Sequence, residues 1–236
     1  MVMTKKTVKT LLNMDNKQLG HLLILVSLAD TNGMISLPKG KKPMLKSTAG
    51  VCLGMAYKTA LKFMDAMLDQ GIISERIVWM YRKEHRAYFI NEQFKLSALS
   101  EGLGRSIFKS KVYVSLYKSK ELTSSELGLL YKTTRFINSE DGYLENKEGT
   151  LLKAKEAAEL CGMDVTAFLK AINKMSIKMK LGKELYKAPV YCLTGKGDNS
   201  LIMINPLVAT KRKRELKPDD RQLDIFKLVA EEITEK

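Results

Sequence analysis

Lys58 and Lys62 stand four residues apart within Ser47–Ile73 (STAGVCLGMAYKTALKFMDAMLDQGII), where apolar residues recur at a helical period. Ala60, Phe63, Met64 and Met67 fall at i, i+3, i+4 and i+7, which marks one apolar helix face. The opposite face of the first two turns offers Tyr57, Lys58, Thr59 and Lys62. Ammonium, hydroxyl and phenol groups spaced in this way suit phosphate oxygens and base edges. More cations flank the stretch. Lys39, Lys41 and Lys42 precede it, and Arg82, Lys83 and Arg86 follow it in RKEHR.

No residue set points to catalysis, and the expectation is a protein that is not an enzyme. There is no G-x-x-x-x-G-K-[ST] phosphate loop, and Gly195-Lys196-Gly197 reads as a hairpin tip. His21 reads as a surface or core-edge residue, and His85 as solvated at a hairpin tip; neither sits in a nucleophile–histidine–carboxylate set. Cys52, Cys161 and Cys192 lack C-x-x-C spacing, and Cys52 and Cys161 read as small core residues in a reducing compartment. No metal site and no cofactor are expected. The single tryptophan, Trp79, alternates with Val78 and Met80 on a strand and reads as core.

The 236 residues carry 40 Lys and Arg against 26 Asp and Glu, a formal net charge of +14. Such an excess points to a polyanionic partner, nucleic acid or an anionic membrane surface. With 45% hydrophobic residues the chain can bury real cores. No apolar run reaches membrane-spanning length, and the first residues lead into no signal-peptide core, so a cytoplasmic protein is expected.

The elements that position these residues can be read locally. A short helix over Ser47–Leu53 breaks at Gly54, a longer helix runs from about Ala56 to Gln70, and Gly71 closes it before Ile72-Ile73 opens a strand. The run Leu53-Gly54-Met55, then Thr59, Lys62, Met67 and Gly71-Ile72-Ile73, resembles the winged-helix branch of helix-turn-helix proteins. That resemblance implies a small-residue turn before a recognition helix, a β-hairpin wing after it, and a DNA ligand.

The chain also repeats itself at an offset of 108. Leu19-Gly20 returns as Leu127-Gly128, Gly54-Met55 as Gly162-Met163, Leu61-Lys62 as Leu169-Lys170, and Met67 as Met175. Asp15-x-x-Gln18 and Thr123-x-x-Glu126 both resemble capping boxes. Phe89-Ile90-Asn91 and Met203-Ile204-Asn205 correspond six residues out of register, a slip that a longer second hairpin explains. Each copy should hold a first helix (about 16–29; 124–138), a short hairpin (34–45; 143–152), the helix–Gly–helix pair, and a closing hairpin (72–90; 185–204). The expected fold is α+β, mainly α, with two tandem winged-helix domains and a C-terminal helix. The expected domains are 1–98, 99–210 and 211–236, with a Gly/Ser-containing linker at 97–110 and a strand, KVYVSLY, at 111–117.

The copies differ in charge. Where the first presents Tyr57, Lys58 and Thr59, the second begins Asp164, Val165, Thr166, and its hairpin carries Glu145 and Glu148. Carboxylates oppose phosphate contact, so the first copy is the expected main reader, with Thr166, Lys170 and Lys196 as weaker candidates. A lysine pair on an isolated helix is ordinarily solvated; the repeat, the basic hairpin and the net charge together favour contact. In the tail, Lys211, Arg212, Lys213 and Arg214 form a basic cluster. Leu223, Phe226, Val229/Ala230 and Ile233 form a helical stripe suited to homodimerisation or to docking on the second copy.

The expectation is therefore a double-stranded-DNA-binding protein. A transcriptional regulator of phage or plasmid type and a replication initiator binding origin repeats both fit. The tandem plan, KVYVSLY and Ile204-Asn205-Pro206 resemble winged-helix replication proteins of Gram-positive phages and plasmids. A third reading, from another class, is an interaction module docking on host RNA polymerase.

Overall fold

The computed structural model describes residues 5–37, 42–80, 82–95, 120–138, 141–181, 184–206, 208–209, 224–226 and 228–230. The fold is α+β, and its described strands form three two-stranded antiparallel sheets. The chain divides into two compact units. One comprises Met1–Leu11 and His21–Gly102, the other Leu12–Gly20 and Leu103–Lys236.

The first unit holds most of α1 (Lys5–Asn13) and, from His21 onward, α2 (Asn16–Leu28), whose start belongs to the second unit. α1, not expected from the sequence, buries Thr7 and Leu11. α2 starts at Asp15, whose Oδ1 accepts the Gln18 amide at 2.8 Å. Every residue from Leu19 to Val26 is buried, so this helix is covered on all sides. His21 belongs to that buried run, edge-on to Phe63 with ring centroids 5.7 Å apart, and is a core residue rather than a surface one. A 3-10 turn at Lys46–Thr48 leads into α3 (Ala49–Leu53) and then α4 (Tyr57–Asp69). β1 (Ile73–Met80) and β2 (Lys83–Ile90) close the unit as a hairpin in full register, Ile73 opposite Ile90 and Met80 opposite Lys83. The hairpin expected at 34–45 forms only isolated bridges among its described residues, Ala29–Ile35, Met34–Phe89 and Ser36–Pro43.

The second unit contains α5 (Ser124–Thr134), α6 (Ala154–Leu160) and α7 (Val165–Lys174). Thr123 and Glu126 make the anticipated reciprocal cap: the Thr123 amide donates to Glu126 Oε2 at 2.8 Å, and the Glu126 amide donates to Thr123 Oγ1 at 3.3 Å. α5 is four residues shorter at its C-terminal end than expected, with Leu127–Thr134 buried throughout. β3 (Ser176–Leu181) pairs with β4 (Glu184–Pro189), and β5 (Tyr191–Thr194) pairs with β6 (Leu201–Ile204).

Backbone hydrogen bonds recur between the units. Met55 N donates to Gly50 O at 2.9 Å, as Met163 N does to Ala158 O. Ile35 N reaches Tyr88 O at 2.8 Å, and Leu144 N reaches Ile202 O at 2.9 Å. Asn91 N and Nδ2 donate to Ile72 O and Gly71 O; Asn205 N and Nδ2 donate to Val190 O and Pro189 O. These pairs equate β5–β6 with β1–β2, which corrects the reading of one long second hairpin over 185–204. Ile72 N donates to Met67 O at 2.9 Å, and its counterpart Val190 N donates to Met175 O at 2.9 Å. Between Met175 and Val190 the chain makes the extra β3–β4 hairpin and returns to the same bond. The register slip comes from that insertion together with a shorter β5–β6 hairpin.

Within the second unit two glycines allow backbones to touch. A Cβ on Gly20 would meet Ser124 O at 1.7 Å, and one on Gly128 would meet Asn16 O at 1.9 Å. Ser124 lies 108 residues beyond Asn16, so the contact is reciprocal in the repeat register. Nearby, the buried Lys132 Nζ donates to Cys161 O at 3.2 Å, serving a carbonyl at the C-terminal end of α6. Burial lowers the Lys132 pKa and raises that of Cys161 from 9.0 to about 12. Cys52, expected in the core, is only half-buried.

In the tail, residues 224–226 and 228–230 are helical, with Phe226 and Ala230 buried. Two members of the apolar stripe are thus covered by the chain itself, which favours docking back over a dimer seam. The linker 97–110, the strand expected at 111–117 and the basic cluster 211–214 lie outside the described residues.

Two outcomes are expected. Gly128→Ala forces backbone apart and should destabilise the protein by about 1–3 kcal/mol. Gly149→Ala, at φ +81° with nothing within 4 Å, incurs only conformational strain of about 1 kcal/mol; thermal melts of both compare the effects. Second, because the folded-state pKa of Cys161 is raised, its contribution to stability is fully present below pH 9 and lost as pH rises towards 12. Urea titrations of the wild type and Cys161→Ala at pH 8 and 11 should show a shallower loss in the variant.

Candidate nucleic-acid interface

Gly54 sits at φ 63° and terminates α3, a left-handed position where a side chain would be strained. The chain can therefore reverse and start α4 three residues later. One stripe of α4 is then committed to the core: Ala60, Met64 and Met67 are fully buried and Phe63 nearly so. Full burial of a Phe or Met stabilises by about 1.5–3 kcal/mol over exposure, so this stripe dictates the rotation of the helix. Lys58, Thr59 and Lys62 consequently face outward, and Tyr57 is 54% exposed rather than packed on a neighbour.

The N-terminus of α4 has Ala56 at its cap and no side-chain cap bond. Its amides and macrodipole favour an anion, reinforced by the two lysines. α7 differs at the same point. Asp164 Oδ1 accepts from the amides of Thr166 at 2.9 Å and Ala167 at 3.1 Å, placing a carboxylate where α4 leaves its amides uncapped. Thr166 and Lys170 are exposed beside that carboxylate.

Residues directly opposite one another share a face of a hairpin, and alternate residues along a strand share it too. One face of β1–β2 therefore carries Ile73, Glu75, Ile77 and Trp79 with Ile90, Tyr88, Arg86 and Glu84. At its base Tyr88 is buried and feels Glu75, Lys46 and Asp65; burial, with help from Glu75, raises its pKa. Asp65 lies on α4 in line with Lys58 and Lys62, and it pairs with Lys46 at 2.8 Å. Arg86 lies 4.0 Å from Glu75 across the strands.

At the tip, Arg82, Lys83 and Arg86 are exposed. Arg82 adopts φ 63°, a left-handed conformation that costs an L-residue about 1–2 kcal/mol and that glycine adopts freely. Cation chemistry at the tip is a reason to keep arginine there. Lys42 is exposed before the helix pair; Lys39 and Lys41, like Lys211 and Arg212, lie outside the described residues. Lys196 is exposed between β5 and β6, next to the left-handed Gly195 and Gly197.

Two features went unread in the sequence. Trp79, expected in the core, is 70% exposed, and Ile77 on the same face is 68% exposed. Alternation located the strand correctly but could not say that its distal half extends past the body of the unit. The inserted β3–β4 hairpin sets Lys178 directly opposite Lys187, both exposed, with Ile177 and Ala188 buried behind them. Like charges opposite one another oppose pairing, and a polyanion would relieve that. His85, read as solvated, is half-buried, and its Nε2 has no hydrogen-bond partner. Among the described residues no group of three or more His, Cys, Asp and Glu is placed to hold a metal ion, and no helix is long and apolar enough to cross a membrane.

No family model, curated protein or solved structure matches the chain.

Replacing Arg82 with glycine separates the tip's two roles. The variant should gain up to about 1 kcal/mol in a thermal melt through relief of strain, and should bind duplex DNA more weakly. Lower stability would show that Arg82 contributes packing instead.

Proposed function

We propose that the chain is a double-stranded-DNA-binding protein of tandem winged-helix plan, acting in the cytoplasm as a transcriptional regulator of phage or plasmid type. The observation that carries this reading is the exposed face of Tyr57, Lys58, Thr59 and Lys62 on an uncapped helix N-terminus, followed in the chain by a hairpin with Arg82, Lys83 and Arg86 exposed. A helix projecting from a Gly turn and braced by a shorter one has the dimensions of a major-groove reader, and a cationic hairpin beside it suits the adjoining backbone or minor groove. The net charge of +14 supplies long-range attraction to a duplex.

We further propose that the two halves arose by tandem duplication and then diverged. The recurrence of equivalent hydrogen bonds about Gly54/Gly162, Ile72/Val190 and Asn91/Asn205 supports it. In this reading the first copy keeps the main grip, while the second, capped by Asp164, contributes through Thr166, Lys170, Lys196 and the Lys178–Lys187 hairpin.

No arginine stands on α4 or α7, and Asn173 lies in the last turn of α7 rather than in its N-terminal half, so specificity is expected to draw on DNA shape as well as base edges. Initiation of replication at repeated origin sequences uses the same contacts and remains the second reading. The acidic start of α7 is what favours a third, docking on a protein such as RNA polymerase.

Replacing Lys58 and Lys62 together by alanine should weaken duplex binding by at least tenfold and reduce the slope of log affinity against log salt by about 2. Lys170→Ala should reduce that slope by at most about 1. Equal losses in both variants would refute the division between the copies. Footprints over a promoter favour regulation; a protected array of repeats beside an AT-rich tract favours initiation. Absence of duplex binding at low salt would leave the protein-docking reading.

A further inference from the structure

We propose that Trp79, backed by Ile77, is a base-stacking element on the β1–β2 hairpin, which gives the first unit a preference for DNA containing unpaired or kinked bases. The inference rests on the DNA-binding reading above and deepens it.

An indole 70% exposed beside an isoleucine 68% exposed is an unfavourable surface in water. These side chains occupy alternate positions on β1, so both point from the same side of the hairpin. The base of that side is buried at Ile73, Tyr88 and Ile90, which leaves Ile77 and Trp79 as its exposed apolar part. The charge around the pair indicates its occupant. Arg86 stands directly opposite Ile77, 4.0 Å from Glu75, and Arg82 lies in the adjacent turn, while Glu84 opposite Trp79 and Glu75 are the carboxylates of this face. An apolar plane with guanidinium groups at its edge complements a nucleic acid, in which bases present flat apolar faces and phosphates present negative charge.

A fully paired duplex buries its base faces in the stack, so Trp79 can engage them only where a step opens. Insertion of an apolar wedge at a flexible step costs a few kcal/mol in unstacking, whereas a base that is already unpaired requires none. The hairpin should therefore hold opened DNA more tightly than closed DNA, while α4 contacts flanking duplex in both.

Trp79 is the only tryptophan in the chain, so its emission reports on this site alone. The full-length protein is titrated with a fluorescein-labelled duplex and with the same duplex carrying a central unpaired thymine bubble. Affinity is read by anisotropy, and tryptophan emission is read with unlabelled copies of both DNAs. The expected result is tighter binding of the bubble with strong quenching of emission. Trp79→Ala should lower bubble affinity about tenfold or more and leave closed-duplex affinity within about twofold. Trp79→Phe should restore part of the loss. Because the indole is largely exposed, thermal melts of these variants should match the wild type.

Equal affinity for both DNAs with unchanged emission, while duplex binding persists, would overturn the stacking role and spare the DNA-binding reading. No binding of either DNA at low salt would overturn both. A blue shift of Trp79 emission on concentrating the protein alone would assign this face to a second copy and overturn the stacking role as well.

Discussion

Burial of Ala60, Phe63, Met64 and Met67 along α4 is the constraint on which the candidate interface depends. A helix has one rotational degree of freedom about its axis, and this stripe removes it. The exposed Lys46–Asp65 pair that bridges the preceding turn to the same helix is screened by solvent and too weak to reorient a helix holding three large side chains in the core. Apolar burial therefore aims the lysines outward, and the ion pair follows from that orientation.

The hairpin after α4 translates the same constraint outward. Its base is anchored by Ile73, Tyr88 and Ile90 in the core and by Asn91, whose amide and side chain both return to the chain at Gly71 and Ile72. From that anchored base eight-residue strands extend in exact antiparallel register, carrying Arg86, Ile77 and Trp79 away from the body. In the second unit the corresponding strands are four residues long, and an inserted hairpin occupies the interval before them. Two surfaces of different reach and charge thus grow from one hydrogen-bond scheme. The reciprocal Gly20–Ser124 and Gly128–Asn16 contacts add a steric condition of a different kind, since backbone meets backbone there and no side chain can be admitted.

Much of the helix–Gly–helix stretch was legible beforehand. The 3.6-residue period of Ala60, Phe63, Met64 and Met67, the left-handed glycines at 54 and 71, and the Thr123–Glu126 cap are local features, dictated by residues within one or two turns. Identical residues recurring at an offset of 108 were likewise readable, since equal spacing requires no knowledge of contacts. The β3–β4 insertion was not, because Ser176–Pro189 and Tyr191–Ile204 both contain strand-forming runs, and only pairing tells one hairpin from two.

What the sequence determined by itself is which residues share a helix face or a strand face, because periodicity is a property of the backbone. Whether a face is covered was decided by the tertiary structure. His21 and Trp79 lie on elements assigned correctly, yet the first, read as surface or core-edge, is buried against Phe63, and the second, read as core, stands in solvent. Burial depends on where an element ends relative to its neighbours. That is a matter of long-range packing, and it left the indole at the far end of a hairpin that outruns its own core.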